Sequence, residues 1–417
     1  MNSRTFFKHL NEWAIKQPFT PALVSNNKVL RWNELKEHID NRVNWIVQNK
    51  VRSLGLLADN STDWVLWDLA AMKAGIILIP MPLFFSEQQH KHLIEQAGIN
   101  CVLSDVAQQE LSWLVGDSIS SENLQRENIC SYVSYFLRET HLLNKPHAGL
   151  VPEGTAKITF TSGSTGKPKG VCLSTQQQLT VAHSLVMATQ DMGISNHDCL
   201  LPLSTLLENI AGVYAPLLAG ATVQVNAMSE IGFKGATDLD IAKFMRGLVS
   251  RDGESIVLLP QLLLALVSAI EMGAEKPRGL KFIAVGGGRV SQSLIKRAEE
   301  ITLPVFQGYG LSENASVSTL NLPGYHKKNS VGRALKHNDI RISPSNEVLI
   351  KGGKMLGYLG ERKVMNEWLA TGDIGYLDAD GFLFIKGRKK NQFITSFGRN
   401  VNPEWLESEL TQQIAIQ

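Results

Sequence analysis

The chain has 417 residues, 44% of them hydrophobic, which is ample for a large core and long for one domain. Its 41 basic and 39 acidic residues leave a net charge of +2, so nothing calls for a nucleic acid or an anionic membrane surface. Four scattered cysteines (Cys101, Cys130, Cys172, Cys199), with no Cys-x-x-Cys pair and no histidine at ligand spacing, read as reduced core thiols of a cytoplasmic protein rather than a disulfide or zinc framework.

The N-terminus carries Phe6, Phe7, Leu10, Trp13 and Ala14 at helical spacing among polar residues, and lacks the apolar stretch of a signal peptide. No run approaches the length of a membrane span. Ala22-Leu23-Val24 and Val29-Leu30 flank Asn26-Asn27, which predicts a hairpin, and a helix follows from Trp32 to about Gln48. Short apolar runs then alternate with helical patterns: a strand at 54–57, a helix over 62–73 carrying Trp64, Leu66, Trp67 and Leu69, a strand at 76–79, a helix over 87–97, and a strand at 101–103. This βαβα order predicts a doubly wound parallel sheet. Residues 105–155 are weakly patterned and read as a connection across the surface. Alternation resumes with a helix near 176–190, strands at 221–225 and 256–259, a helix over 260–272 and a strand at 282–285. From about residue 340 the pattern is short strands and turns.

One loop asks for a ligand. Residues 161–170, TSGSTGKPKG, hold three glycines, four hydroxyls and two lysines. Glycine lets backbone N–H groups approach closely, hydroxyls add donors, and Lys167 and Lys169 add charge, a mixture that suits a polyphosphate. The same composition also fits a solvated hairpin turn. Apolar runs on both sides, at 156–160 and 171–173, predict a strand–loop–strand element. Gly166-Lys167 is followed by Pro168, with no Ser/Thr and no helix directly behind, which excludes a Walker phosphate loop.

Three later stretches are weak singly and specific together. Gln307-Gly308-Tyr309-Gly310-Leu311-Ser312-Glu313 follows the apolar Val305-Phe306; alone it reads as a tight turn. Thr371-Gly372-Asp373 alone reads as an acidic turn, and Gly387-Arg388-Lys389-Lys390 as a basic surface loop. In this order and spacing with TSGSTGKPKG, they resemble the adenylate-forming (AMP-binding) superfamily, specifically its acyl-CoA synthetases, over nearly the whole chain.

The resemblance implies a large N-terminal domain, residues 1–387, of stacked, helix-flanked, mostly parallel β-sheets with a small β-barrel-like subdomain. It implies a hinge at 388–390, centred on Lys390, and the start of a small C-terminal domain over 391–417. ATP and magnesium are the implied cofactors, with AMP as product and coenzyme A as co-substrate. Thr161, Ser162, Gly163, Ser164, Thr165, Gly166, Lys167, Lys169 and Gly170 would wrap the β- and γ-phosphates. Gly286, Gly287 and Gly288 would border adenine and the acyl pocket, and Gly308, Tyr309 and Gly310 would complete the adenine site, Tyr309 offering its ring face. Ser312, where the family usually has threonine, would donate to the α-phosphate, and Glu313 would hold magnesium. Asp373 would accept from both ribose hydroxyls, and Arg388 would contact the ribose–phosphate region.

Departures are equally specific. In the 201–208 segment, Leu-Pro-Leu-Ser-Thr-Leu-Leu-Glu, Thr205 of the expected substrate pocket stands where many fatty acyl-CoA synthetases have histidine. Asn391 stands where aspartate often follows the hinge. Relatives carry a small C-terminal domain of roughly a hundred residues bearing a lysine used in adenylation. Here the sequence stops at Gln417, inside what reads as a helix opened by Asn402-Pro403, and is expected to be cut short. The expected function is ATP-dependent activation of a fatty or aryl carboxylic acid to an acyl-adenylate and transfer to a thiol. Coenzyme A is the first expectation for that thiol. An acyl-carrier-protein ligase, a stand-alone adenylation domain and a non-catalytic acyl-adenylate-binding protein are the alternatives.

Overall fold

The computed structural model describes residues 1–106, 108–115, 132–136, 151–161, 168–235, 238–361, 366–390, 393–394 and 400–401. Two large sheets dominate it. The first has seven strands, in the order Gly357–Tyr358, Lys169–Leu173, Lys157–Thr161, Ile77–Pro80, Ser53–Leu57, Cys101–Ser104, Val133–Phe136. Its centre is parallel, and the strands on either side of the glycine loop pair antiparallel, Thr161 opposite Lys169. The second sheet has nine strands. Its parallel run comprises Pro21–Ser25, Thr222–Val225, Asn196–Cys199, Ser255–Leu258, Phe282–Val285 and Val305–Leu311, with antiparallel strands at both edges. A four-stranded antiparallel sheet, Asp339–Ile342, Glu347–Lys351, Leu369–Leu377 and Leu383–Arg388, forms the small β subdomain.

Local chemistry explains most helix ends. Ser61, Ser86 and Ser174 each accept a backbone N–H in the first turn of the helix they open, while Gly75 and Gly98 take the left-handed conformation that closes two of them. The Thr62–Ala74 helix is apolar nearly all round, and ten of its thirteen residues are buried, so it lies within the core rather than over it. The main apolar cluster accordingly joins Trp64 and Trp67 of this helix to strand residues of both sheets, such as Leu54, Leu103, Leu23 and Val223. Truncating either tryptophan to alanine would cost about 3–5 kcal/mol.

A buried polar knot fixes this helix beside the glycine-loop strands. Lys157, at the start of the strand that leads into the loop, donates to Asp68 and Tyr214, each at 2.8 Å, and to Asn209. Asp68 also accepts from Tyr214 at 2.7 Å and Asn209 at 2.8 Å. Burial lowers the lysine's pKa and the Asp68 carboxylate opposes that shift.

The expected hairpin and the βαβα alternation are present, with helices at Trp32–Gln48, Thr62–Ala74 and Glu87–Ala97. The 105–155 stretch is not only a surface connection. Val133–Phe136 forms an edge strand antiparallel to Cys101–Ser104, with Ser134 and Tyr135 buried. Four residues are too few for a period to stand out, and the neighbouring strand supplies the hydrogen bonds that hold them. Residues 391–392, 395–399 and 402–417, where most of the expected small domain falls, lie outside the described residues. No helix among the described residues is long and apolar enough to cross a membrane.

Candidate active site

The stretches that taken alone read as turns lie within strands. Gly308-Tyr309-Gly310 runs inside Val305–Leu311, Thr371-Gly372-Asp373 inside Leu369–Leu377, and Arg388 ends Leu383–Arg388. A strand edge holds a side chain in a fixed direction better than a surface turn does. The Val305–Leu311 strand pairs with Ser316–Leu320 so tightly that a Cβ on Gly310 would fall 1.8 Å from the Ser316 carbonyl oxygen. Only glycine fits there, and the pairing shifts register between Tyr309 and Gly310.

Asp373 is the hub. It is 4% exposed, and Arg388 lies directly opposite it in the antiparallel register. Arg388 Nε is 3.0 Å from Asp373 Oδ1, and the Tyr309 hydroxyl donates to Asp373 Oδ2 at 2.6 Å. Burial, reinforced by the Asp373 carboxylate, pushes the Tyr309 phenol well above its ordinary pKa. The hydroxyl therefore stays a donor. Thr371 Oγ1 accepts from the Asp373 backbone N–H, and Gly372 N–H donates to Glu347, whose other oxygen pairs with Lys389 at 3.0 Å.

A second cluster forms around Glu313, in the 3-10 turn Ser312–Asn314. The Tyr358 hydroxyl donates to Glu313 Oε1 at 2.8 Å. Burial, with Glu313 adding to it, raises the Tyr358 pKa. Lys169, on the far side of the glycine loop, lies 5.1 Å over the Tyr358 ring and pairs with Glu361 at 3.2 Å. A half-buried carboxylate with one oxygen not engaged by the tyrosine is a hard oxygen donor of the kind magnesium takes, so Glu313 fits the expected metal role.

One cavity of about 1710 Å³ unites these groups. Thr161, Lys169, Thr205, Gly286, Gly287, Gly308, Tyr309, Gly310, Ser312, Glu313, Arg388 and Lys390 all line it. Asp373 reaches the group through Tyr309 and Arg388. Gly170 and Gly288 are not in the cavity wall; Gly170 packs against Ile158 and Leu359, and Gly288 against Pro260. Ser162, Gly163, Ser164, Thr165, Gly166 and Lys167 lie outside the described residues. Gly287, two residues beyond the Phe282–Val285 strand, has φ +75°, where a side chain would be strained. Thr205 donates its hydroxyl to the Pro202 carbonyl at 2.7 Å, so its proton is not offered to the cavity. The volume exceeds the roughly 300–1,000 Å³ of a single small-molecule pocket, which accords with two ligands side by side.

Beyond these residues the wall is mainly apolar. Leu185 and Val186 come from the Thr175–Thr189 helix, Ala211 and Ala215 from the helical segment after Glu208, and Val257 and Ala284 from two parallel strands. Cys199 does have a histidine beside it, contrary to the reading of its spacing: ligand atoms of His197, Cys199 and Glu208 all lie within 4.8 Å of one another, fully buried. They are satisfied by protein partners. His197 Nδ1 meets Ser255 Oγ at 2.8 Å and Nε2 meets Glu208 Oε1 at 3.4 Å, Glu208 Oε2 accepts from Leu201 N–H at 3.1 Å, and Cys199 donates to the Gly212 carbonyl at 3.5 Å. Cys101, Cys172 and Cys199 are buried free thiols, and Cys130 lies outside the described residues. Sequence reading missed Tyr358 and Glu347. No local signal marks either, because each acts through strands distant in sequence.

The family model of the AMP-binding enzymes matches residues 10–359, and the chain belongs to this adenylate-forming superfamily, in its acyl-CoA synthetase type. Among curated proteins it is similar to the 2-succinylbenzoate–CoA ligase of Bacillus subtilis strain 168, 25% identical over 422 residues, covering 95% of this chain and 80% of that one. The 2-succinylbenzoate–CoA ligase of Listeria monocytogenes is 26% identical over 416 residues, covering 96% and 82%. Two solved structures share the fold. The o-succinylbenzoate CoA synthetase of Bacillus subtilis, held with its acyl-adenylate intermediate, gives a TM-score of 0.76 at 23% identity over 97% of this chain and 82% of that one. The anthranilate CoA ligase AuaEII with anthranoyl-AMP gives 0.79 at 18% identity over 100% and 84%.

Proposed function

We propose that this AMP-forming acid–thiol ligase activates a fatty or aryl carboxylic acid with ATP and transfers it to coenzyme A. One observation carries the reading: a single cavity joins the Tyr309–Asp373–Arg388 cluster, the Glu313 carboxylate and an apolar chamber. A carboxylate is a poor electrophile because its charge repels nucleophiles. In the first step its oxygen attacks the α-phosphorus of ATP, a new P–O bond forms, and the bond to pyrophosphate breaks. In the second, a thiolate sulfur attacks the acyl carbon and AMP leaves with the electron pair of the acyl–oxygen bond. Neither step needs a nucleophilic side chain, so the protein acts by positioning and by stabilising charge.

In this reading Asp373 accepts from the ribose hydroxyls, and Tyr309 and Arg388 hold its two oxygens in line. Ser312 donates to the α-phosphate, while Lys169 and the glycine loop from Thr161 to Gly170 cover the outer phosphates. Gly286, Gly287, Gly308 and Gly310 line the adenine and acyl walls, while Gly288, expected to border the acyl pocket, packs against Pro260 outside them. Thr205 borders the acid. Glu313 would hold magnesium, which when bound offsets phosphate charge. Residues 1–387 serve as the large domain and 388–390 as a hinge about Lys390. Both curated relatives described above are named for coenzyme A, which supports that acceptor over a carrier protein. ATP and coenzyme A are cytoplasmic, and we place the reaction there.

The test uses the full-length gene product. Acid-dependent ATP–pyrophosphate exchange is expected, followed by thioester formation with coenzyme A and not with an acyl carrier protein. Nucleotide binding without exchange for any acid would make the protein a binder and end the ligase reading.

A further inference from the structure

We infer that the apolar chamber takes an acid with one carboxylate and rejects an acid that brings a second carboxylate into the chamber. The inference rests on the ligase reading and asks which acid that ligase accepts. It also sets this chain apart from the relatives named above, since 2-succinylbenzoate carries one carboxylate on its succinyl arm and another on its ring.

The argument is a census of charge. Among the described residues lining the cavity, the cations are Lys169, Arg388, Lys389 and Lys390. The first three belong to the nucleotide end and are paired there, with Glu361, Asp373 and Glu347. Lys390 follows directly in the same turn. The cations packed around the chamber are engaged elsewhere and do not line it. Arg251 Nε is 2.7 Å from Asp198, and Lys281 Nζ is 2.6 Å from Glu254 and donates to the Gly193 carbonyl at 3.0 Å. Lys16, exposed at the outer rim, lies 4.7 Å over the Trp13 ring and outside the chamber wall.

What remains among the described residues of the chamber wall carries no cationic side chain: it is mainly apolar, with the uncharged Gln190 and Ser316 as its polar exceptions and Thr189 and Ser255 already hydrogen-bonded to protein partners. Among the described residues its one imidazole, His197, meets Ser255 through one nitrogen and Glu208 through the other. A second carboxylate would therefore lose water, find no cation among the described residues of the chamber wall, and lie near an existing carboxyl group at Glu208. An unpaired buried carboxylate is among the most costly groups to desolvate. An apolar acid body meets no such penalty. Ala211, Ala215 and Ala284 leave the room it needs, and the acid's single carboxylate reaches the nucleotide end, where the cations are.

The experiment measures kcat/KM in ATP–pyrophosphate exchange for matched acids with the full-length gene product. One pair is 2-succinylbenzoate and 4-oxo-4-phenylbutanoate, the same body without the ring carboxylate. Straight-chain and aryl monoacids, each set beside its diacid, complete the panel. The monoacid of each active pair is expected to exceed its diacid by roughly 100-fold or more. Comparable use of both acids, or preference for 2-succinylbenzoate, overturns the inference and leaves the ligase standing. Failure of every acid in the panel to support exchange overturns the ligase reading and the inference together.

Discussion

Replacing Asp373 by asparagine tests the centre of the proposed nucleotide site. The carboxylate is nearly buried, with Oδ1 on Arg388 and Oδ2 on Tyr309. Asparagine keeps the size and one acceptor oxygen, but it loses the charge and sets an NH2 group where an oxygen stood. Losing one charged acceptor toward the ribose should cost about 1.5–3 kcal/mol, a rise of about 10- to 150-fold in the Kd for AMP and ATP. The fold should lose much less. The Arg388 side chain is 50% exposed, so solvent screens its pair with Asp373, and that pair is worth about 1 kcal/mol or less. Calorimetric titration gives the affinity, and thermal unfolding of the same sample shows that the fold survives. Tyr309→Phe supplies the control: it removes the hydroxyl on Oδ2 but leaves the charge, and should weaken binding less than Asp373→Asn. Unchanged nucleotide affinity in a folded Asp373→Asn variant would remove this residue from the ribose site.

Glu313→Gln keeps an acceptor for Tyr358 but removes the charge proposed for magnesium, so adenylation should fall sharply and the residual rate should need more metal. A normal rate at normal magnesium would end that role. Arg251→Met leaves Asp198 buried without its cation. Burial pushes the Asp198 carboxyl up to about 6 while Arg251 opposes it, so the carboxyl's contribution to stability is full below its ordinary pKa and is lost as pH rises through about 6. Removing the arginine should therefore cost about 3–5 kcal/mol at pH 8 and clearly less at pH 5, where Asp198 takes a proton. Urea unfolding at the two pH values measures this, and equal losses would refute it.

Local rules fixed much of this protein before any contact was known. Helical spacing and serine caps set the helices at 62–74, 87–97 and 175–189, and the Asn26-Asn27 pair set the hairpin. Glycine, hydroxyl and lysine content marked the 161–170 loop, and the order of four short motifs pointed to the superfamily. What those motifs do to one another was not legible. Tyr309 meets Asp373 across 64 positions, and Glu313 meets Tyr358 across 45. Both contacts follow from which strands lie side by side. A strand's own alternation says which face is buried but not which neighbour it will have. The stretches at 308–310 and 371–373, which alone read as turns, are strands for the same reason, since their pairing partners come from other segments of the chain. Likewise, that position 310 must be glycine follows from the Ser316 carbonyl pressed against it, which the sequence around Gly310 does not reveal. The sequence by itself determined the segments, their caps and the chemistry each carries. Tertiary structure alone decided which charges are paired and which walls stay apolar, because burial and Coulomb energy depend on distances that only the packed sheets define.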